Sequence, residues 1–243
     1  MGLRVSLRRR VRMRRRASIG RHWPRDVAGV LGDELRHPIL DVGAHHGETV
    51  QEIRRFIAGT MVHAFEPVAA SFAELERSAA RFRSVRCHQL ALSDRRGVRS
   101  MHISPRGSVH SSLEPIATMN ADPPQTEEVR TIRLDEFLGE SGIEAISVLK
   151  IDTEGHELSV LRGAGRLLHE GTFRSIVAEA TFYPRYFHHA SFFDLFRLLS
   201  DCGYRFAGLY GMHNLVSRRP RHQFCDALFL LESVFEGPAL TPR

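Results

Sequence analysis

Short apolar runs in this chain alternate with longer stretches in which apolar residues recur every three or four positions. The runs are residues 39–42, 61–65, 85–92, 147–152 and 175–180. Runs of this length, bounded by turn residues, predict buried strands. Between them the period changes to that of a helix. Residues 48–58 put Val50, Ile53, Phe56 and Ile57 on one face, and Gly59 stops them. The helix opened by Pro67 carries Phe72, Leu75, Ala79 and Phe82. The one after the fourth run carries Leu158, Leu161, Leu167 and Leu168 and is capped by Gly171. A lead-in helix is predicted over 23–37, closed by Pro38. Another runs from Ser191-Phe192-Phe193-Asp194, a capping-box type of start, through Cys202 to Gly203.

Strand and helix alternate from 39 to 202, so the main sheet should be mostly parallel. Residues 98–103 and 129–134 read as added strands, and 135–138 starts a short helix. The last two strands, 205–210 and 227–232, have a polar, basic loop between them and no helix. They predict a C-terminal antiparallel hairpin. Residues 105–125 show no periodicity, and so long a loop in a compact domain is usually functional.

Composition refines this picture in two places. The net charge is +6, yet residues 1–25 hold 10 arginines and no acid. The remainder has 24 basic and 28 acidic residues, a body of −4. Basicity therefore belongs to the tail. That tail could touch an anionic surface such as lipid or nucleic acid, or be a simple disordered arm preceding a later start at Met13. It lacks the apolar segment of a secretory signal. Three separated cysteines, Cys87, Cys202 and Cys225, predict a reducing, cytoplasmic setting and no structural zinc. The expected organisation is a tail and lead-in helix over 1–37, one domain over 38–233, and a short tail over 234–243.

Candidate chemistry gathers at strand ends. Asp41-Val42-Gly43-Ala44-His45-His46-Gly47 ends the first run and enters a helix, and Phe65-Glu66-Pro67 ends the second. Glycines that admit a ligand, followed by a carboxylate for ribose hydroxyls, describe a nucleoside-binding half-domain. The spacing lacks the middle glycine of a dinucleotide turn, with His45 near its place. Asp41 before the first glycine would repel a pyrophosphate but suits a ligand carrying an ammonium and a sulfonium. This favours S-adenosylmethionine over NAD. Val148-Leu149-Lys150-Ile151-Asp152 then delivers Asp152 to the same carboxyl edge.

These pieces resemble the FkbM family of S-adenosylmethionine-dependent methyltransferases. The resemblance rests on Leu40-Asp41-Val42-Gly43-Ala44, Phe65-Glu66-Pro67, Ala91-Leu92-Ser93-Asp94, Ser111-Ser112-Leu113, Arg133-Leu134-Asp135, Lys150-Ile151-Asp152-Thr153-Glu154-Gly155-His156-Glu157, Leu161-Arg162-Gly163-Ala164 and Asp226-Ala227-Leu228-Phe229, in that order. It implies an α/β, class I methyltransferase, Rossmann-like fold with a seven-stranded sheet. It also implies methyl transfer to a hydroxyl of a sugar, glycan or natural product. Members often carry Asn where this chain has His45.

Cofactor contacts are then expected at Asp41, Gly43, His45, Gly47, Glu66, Ser93 and Asp94. Asp41 would shape the turn or accept from the cofactor ammonium. Glu66 would accept from both ribose hydroxyls, and would also suit a helix N-terminus. Ser93 and Asp94 would meet adenine or form a polar turn. Asp152 and His156 are the catalytic candidates. Asp152 would orient the acceptor hydroxyl, take its proton or bind a metal, and His156 would be a base or face solvent. His188 and His189 are an alternative source of the base. Asp152 and Glu179 offer two ligands of a metal-assisted scheme, but Ala180 stands where such a scheme has Asn. No obligatory metal is therefore expected. Phe182, Tyr183, Tyr186, Phe187, Phe192 and Phe193 should help enclose the acceptor.

Rival readings are a nucleic-acid methyltransferase, a non-catalytic scaffold and an NAD-dependent oxidoreductase. The acidic body and the absence of an Asn/Asp-Pro-Pro turn after the fourth strand count against the first. The intact Gly43, Gly47, Glu66 and Asp152 count against the second, and the glycine spacing against the third.

Overall fold

The computed structural model describes residues 22–103, 111–114, 125–183, 189–211 and 224–235. The arginine tail, most of the predicted loop 105–125, Tyr186, Phe187, His188, the basic loop before the last strand and the C-terminal segment lie outside them. No helix among the described residues is long and apolar enough to cross a membrane.

The described chain opens with α1 (Trp23–Leu31), whose buried Trp23, Val27 and Leu31 face the body. Gly32, at φ +50°, ends it, and a 3₁₀ turn over Gly32–Arg36 leads to β1 (Ile39–Val42). Next come α2 (Glu48–Phe56), β2 (Val62–Phe65), α3 (Ala69–Ala79) and β3 (Val85–His88). A side layer follows, of β4 (Ala91–Ser93), β5 (Gly97–His102) and β6 (Thr126–Arg133), and then α4 (Leu134–Ser141). The main alternation resumes with β7 (Ile146–Ile151), α5 (Glu157–Gly163), β8 (Phe173–Thr181) and α6 (Phe192–Asp201). β9 (Tyr204–Tyr210), β10 (Phe224–Leu231) and the short α7 (Glu232–Phe235) complete it.

The main sheet has seven strands in the order β3-β2-β1-β7-β8-β10-β9. β10 is antiparallel to both of its neighbours, β8 and β9. The predicted hairpin is present, with its second strand inserted next to β8. This is the class I methyltransferase fold, and its strand order reverses between β1 and β7. Ligands of open α/β sheets bind at such a reversal, outside the carboxyl ends of the strands.

Four expectations are corrected. The run 85–92 is two strands in two sheets. The Leu90 N–H bonds back to the His88 carbonyl at 2.9 Å, and this tight turn takes the chain off the main sheet before Ala91. β4 then pairs with β6 in a separate three-stranded sheet, β4-β6-β5. The helix predicted through Leu168 breaks after Gly163, because Gly165 takes φ +54° and the chain continues as 3₁₀. The lead-in helix changes to 3₁₀ at Gly32. At α6 the Ser191 side chain makes no cap hydrogen bond, so the capping-box start is absent.

Pleating sorts the strands between two cores. Leu40, Val42, Leu149, Ile151, Ile176, Ala178 and Phe229 join one cluster with α4, α5 and α6. Ile39, Val148, Val177 and Leu228 join the other, with α1, α2 and Leu75 of α3. A small third cluster of Val68, Ala91, Met101, Leu113 and Val129 fills the space beneath the side sheet.

Gly163 governs how the side sheet meets the main layer. A Cβ there would lie 1.9 Å from the Ser93 carbonyl oxygen, so α5 rests directly on the β4 backbone. Neither backbone can yield. Gly163→Ala should therefore cost about 3 kcal/mol or more, at the upper end of overpacking changes. Urea unfolding would show this as a lower midpoint, and an unchanged midpoint would mean that α5 has room to shift.

Candidate functional site

On the face that buries Ile39, Val148, Val177 and Leu228, the pleat brings charged residues to the carboxyl edge. Two positions further along β1, β7 and β8 come Asp41, Lys150 and Glu179. On the antiparallel β10 the corresponding position, two before Leu228, is Asp226. Register places Asp41 beside Lys150 and Asp226 beside Glu179. Lys150 is the only lysine in the sequence and is 2% exposed. Its ammonium lies 3.2 Å from Asp152 Oδ2 and 2.9 Å from Asp226 Oδ1.

This ammonium sets the state of its neighbours. Burial would raise the Asp152 pKa, but Lys150 and a hydrogen bond with Glu179 outweigh it and hold Asp152 below the usual carboxylate range. Burial and the Asp152 charge push Glu179 well above that range. Asp226 is raised, chiefly by burial. Asp41 is fully buried, neither of its carboxylate oxygens has a hydrogen-bond partner, and burial raises it to about 7 against the pull of Lys150.

The β1 turn forms the second part of the site. Gly43 takes φ +83°, and a Cβ there would fall 1.7 Å from the Asp152 carbonyl oxygen. Its small size is thus demanded by the neighbouring end of β7. Gly47 precedes α2 at φ +91°, where a Cβ would meet Ser78 Oγ at 2.5 Å. His45 also has positive φ, 46°, a region that few non-glycine residues adopt and in which Asn, Asp and His are enriched. Burial lowers its pKa, against the pull of Glu48, so the ring stays neutral where an ordinary imidazole would begin to protonate.

Glu66 is fixed at both oxygens. The His45 N–H donates to Oε2 at 3.0 Å and the Val68 N–H to Oε1 at 2.9 Å. Each oxygen retains acceptor capacity for one more donor. Glu66 is 6% exposed, and burial raises its pKa to about 7 despite the two amide donors.

Gly43, His45, Glu66, Asp152 and His156 line one cavity of about 380 Å³, with Leu90, Ala91 and Leu92 among its apolar walls. Glu154, Glu179 and His189 line it too. That volume lies in the range of small-molecule sites. Asp41 and Gly47 sit behind its wall. Ser93 and Asp94 do not line it. Ser93 is buried beneath it, and Asp94 turns to Arg95, with Oδ1 3.2 Å from the Arg95 Nε.

His156 does not face solvent. It is 2% exposed, with Nδ1 2.7 Å from Glu114 Oε1 and Nε2 2.9 Å from Ser93 Oγ. Burial lowers its pKa, partly offset by Glu114. It therefore ties the 111–114 segment to β4. Ser111 lines the cavity, and the Ser112 hydroxyl donates to the Glu154 carbonyl at 2.6 Å.

His189 is no idle surface residue. It is 9% exposed, with Nδ1 2.8 Å from Glu179 Oε2 and Nε2 3.7 Å from Glu154 Oε2. Burial disfavours its charged form, yet Glu179 outweighs this and raises the pKa to about 9. Sequence reasoning passed over Lys150 and Asp226 as parts of the site. A lone lysine inside an apolar strand was the available signal. Among the aromatics expected around the acceptor, Phe182, Phe192 and Phe193 pack on one another, with centroids 4.9 to 6.2 Å apart. None of the three lines the cavity, whereas Phe224 does.

Residues 41–206 match the sequence model of the methyltransferase FkbM domain. The 31-O-demethyl-FK506 methyltransferase FkbM of Streptomyces tacrolimicus is 36% identical over an alignment covering 54% of this chain and 62% of that protein. The 2-O-methyltransferase NoeI of Sinorhizobium fredii is 26% identical, covering 56% of this chain and 60% of that one. The chain thus spans about three fifths of the length of these curated relatives. Among solved structures, the N-terminal domain of human METTL16 in complex with SAH aligns with a TM-score of 0.47 and 10% identity, covering 86% of this chain and 67% of that one.

Lys150→Met should destabilise the fold by roughly 3–5 kcal/mol, the usual result of leaving buried charges without their partner. The sign with pH follows from the carboxylates. Without the ammonium, the folded-state pKa of Asp152 rises above its unfolded value and that of Asp226, already raised, rises further. The loss is then largest at pH 8 and shrinks toward pH 5, where the folded protein can take up protons. Denaturant midpoints at the two pH values check this. A loss that did not depend on pH would contradict it.

Proposed function

This chain belongs to the FkbM methyltransferase family, and on that premise we propose that it transfers the methyl group of S-adenosylmethionine to a hydroxyl of a small-molecule acceptor, a sugar, glycan or natural product. The observation that carries the reading is the Glu66 carboxylate. It is buried, held at both oxygens by backbone N–H groups, and turned into a cavity formed at the strand-order reversal. Such a group suits the paired hydroxyls of a ribose.

The residues present fit the cofactor. Glu66 would hold the ribose, and the turn from Gly43 to His45 would border the amino-acid portion. Asp41, with two orphaned carboxylate oxygens behind that turn, supplies negative potential toward an ammonium and a sulfonium. The apolar Leu90–Leu92 wall offers a surface for the base. When bound, the cofactor supplies an electrophilic methyl group.

The chain's part is then positioning. Asp152, kept ionised by Lys150, accepts a hydrogen bond from the acceptor hydroxyl and orients its oxygen. His156 holds the 111–114 segment against the cavity wall. The acidic surroundings favour a cationic cofactor and disfavour a phosphate-rich substrate. The resemblance of the chain to two O-methyltransferases, FkbM and NoeI, supports a hydroxyl acceptor.

Calorimetric titration with S-adenosylmethionine tests the reading, and an absence of binding would overturn it. Glu66→Gln should weaken binding by about 10²-fold, as expected for the loss of charge-assisted hydrogen bonds. The pH dependence has a definite sign. Glu66 titrates near 7 in the cofactor-free protein, and the ionised form binds. Affinity should therefore be full at pH 8 and fall by up to about tenfold per pH unit below 7, a slope that Glu66→Gln removes. Asp152→Asn should retain cofactor binding while lowering kcat by about 10²-fold or more. Mass spectrometry of glycans and small metabolites, with and without the gene, would locate the acceptor by the loss of one methylene.

A further inference from the structure

Where β7 and β8 leave the sheet, three side chains from separate positions converge on one point. We propose that Glu154, Glu179 and His189 bind a divalent cation of the magnesium or manganese type. One ligand atom from each residue lies within 4.8 Å of those from the other two. All three residues line the cavity, on the side where Asp152 stands.

The geometry of the buried pair points to an ion. His189 Nδ1 and Glu179 Oε2 approach to 2.8 Å, and neither atom has a partner besides the other. The residues are 9% and 7% exposed, so bulk water is not an easy substitute. Neighbouring ligands on an octahedral ion, with bonds of about 2.1 Å at right angles, stand about 3 Å apart. The observed spacing suits two such ligands.

Glu154 is delivered by an unusual backbone. It takes φ +51°, and Gly155 follows at +108°. The Ser112 hydroxyl fastens the turn at the Glu154 carbonyl, 2.6 Å away. Its carboxylate then reaches 3.7 Å from His189 Nε2. Strained non-glycine backbone held in this way clusters at ligand sites. The donor set of two carboxylates and one imidazole suits manganese or magnesium better than a thiol-seeking metal. The third ligand that Ala180 does not provide is offered by His189, beyond the end of β8.

Resting on the methyltransferase reading, the site has a consequence for the acceptor. An ion with three protein ligands keeps coordination positions open toward the cavity. It would favour acceptors with oxygens on adjacent carbons, a vicinal diol or a hydroxy-ketone, over an isolated hydroxyl.

The test is a titration of the full, tag-free chain with Mn²⁺, followed by electron paramagnetic resonance. One ion per chain with nitrogen modulation from one imidazole is expected. Glu179→Gln and His189→Asn should each weaken Mn²⁺ binding at least about tenfold. Glu66→Gln should leave it unchanged. Glu154→Gln, at a more exposed position, serves if a buried variant does not fold, and the nitrogen signal of the wild type needs no variant. Three results would overturn the proposal: no bound Mn²⁺, bound Mn²⁺ without a nitrogen ligand, or binding undiminished in the variants. A parallel titration with S-adenosylmethionine separates the two readings. Cofactor binding without Mn²⁺ binding removes the ion alone. Mn²⁺ binding without cofactor binding leaves the ion site standing and removes the proposed function.

Discussion

Lys150 places one positive charge inside the sheet, within 3.2 Å of carboxylates from the end of its own strand and from β10. Taking an ammonium out of water costs several kcal/mol, and only close, well-placed anions offset it. The carboxylates have the converse problem. Asp41, Asp152, Glu179 and Asp226 crowd one edge, where at least some would protonate without a cation beneath them. One ammonium cannot satisfy all of them, and the outcome is a graded edge. Asp152, touching Lys150, is ionised. Glu179, facing another carboxylate, tends to hold a proton. Asp41, fully buried without a hydrogen-bond partner, sits near neutrality in its preference. The electrostatic character of the cavity follows from that gradient.

The same edge explains the division of the cleft. Strand order reverses between β1 and β7, so the loops leaving them diverge and open a crevice. The β1 side carries the Gly43 turn and reaches across to Glu66 at the end of β2. The β7 side carries Asp152 and the strained Glu154–Gly155 turn, and reaches to Glu179 and His189 at the end of β8. Gly43 keeps the two sides close, because the Asp152 carbonyl occupies the space that a side chain there would need. The glycine commonly read as an opening for a ligand is here first a requirement of the protein's own packing.

Much of this was legible before any coordinates. Apolar period and turn residues place β1 and β2, the helix between them and the terminal hairpin, because in those segments local pattern and tertiary packing agree. They fail where a contact distant in sequence decides. The run 85–92 reads as one continuous strand, and nothing local shows that His88 and Ala91 belong to different sheets. Thr126–Glu128 extends β6 along an edge with too few apolar residues to announce a strand. Among site residues, Glu66 and Asp152 were legible because each ends a strand with a recognisable turn. His189 was legible only as an alternative base, since its partners Glu154 and Glu179 arrive from other strand ends. His156 looked like a solvent-facing helix start, and its burial depends on Glu114, which comes from a loop without periodicity.

Period two along the strands would have shown more. Ile39 and Asp41, Val148 and Lys150, Val177 and Glu179, and Asp226 and Leu228 are all pairs two apart. In each the apolar member lies deeper in the sheet and the charged member nearer its carboxyl edge. A strand that is apolar on one face and turns charged on the other only at its last positions is not amphipathic in the ordinary sense. It is a buried strand that ends at a polar site. Four strands making that change on one face, at one edge, define where the chemistry must be before any motif is consulted. A motif adds which ligand the edge is built to meet. The conversion from core to site is written in the register, and Lys150 makes it physically tolerable.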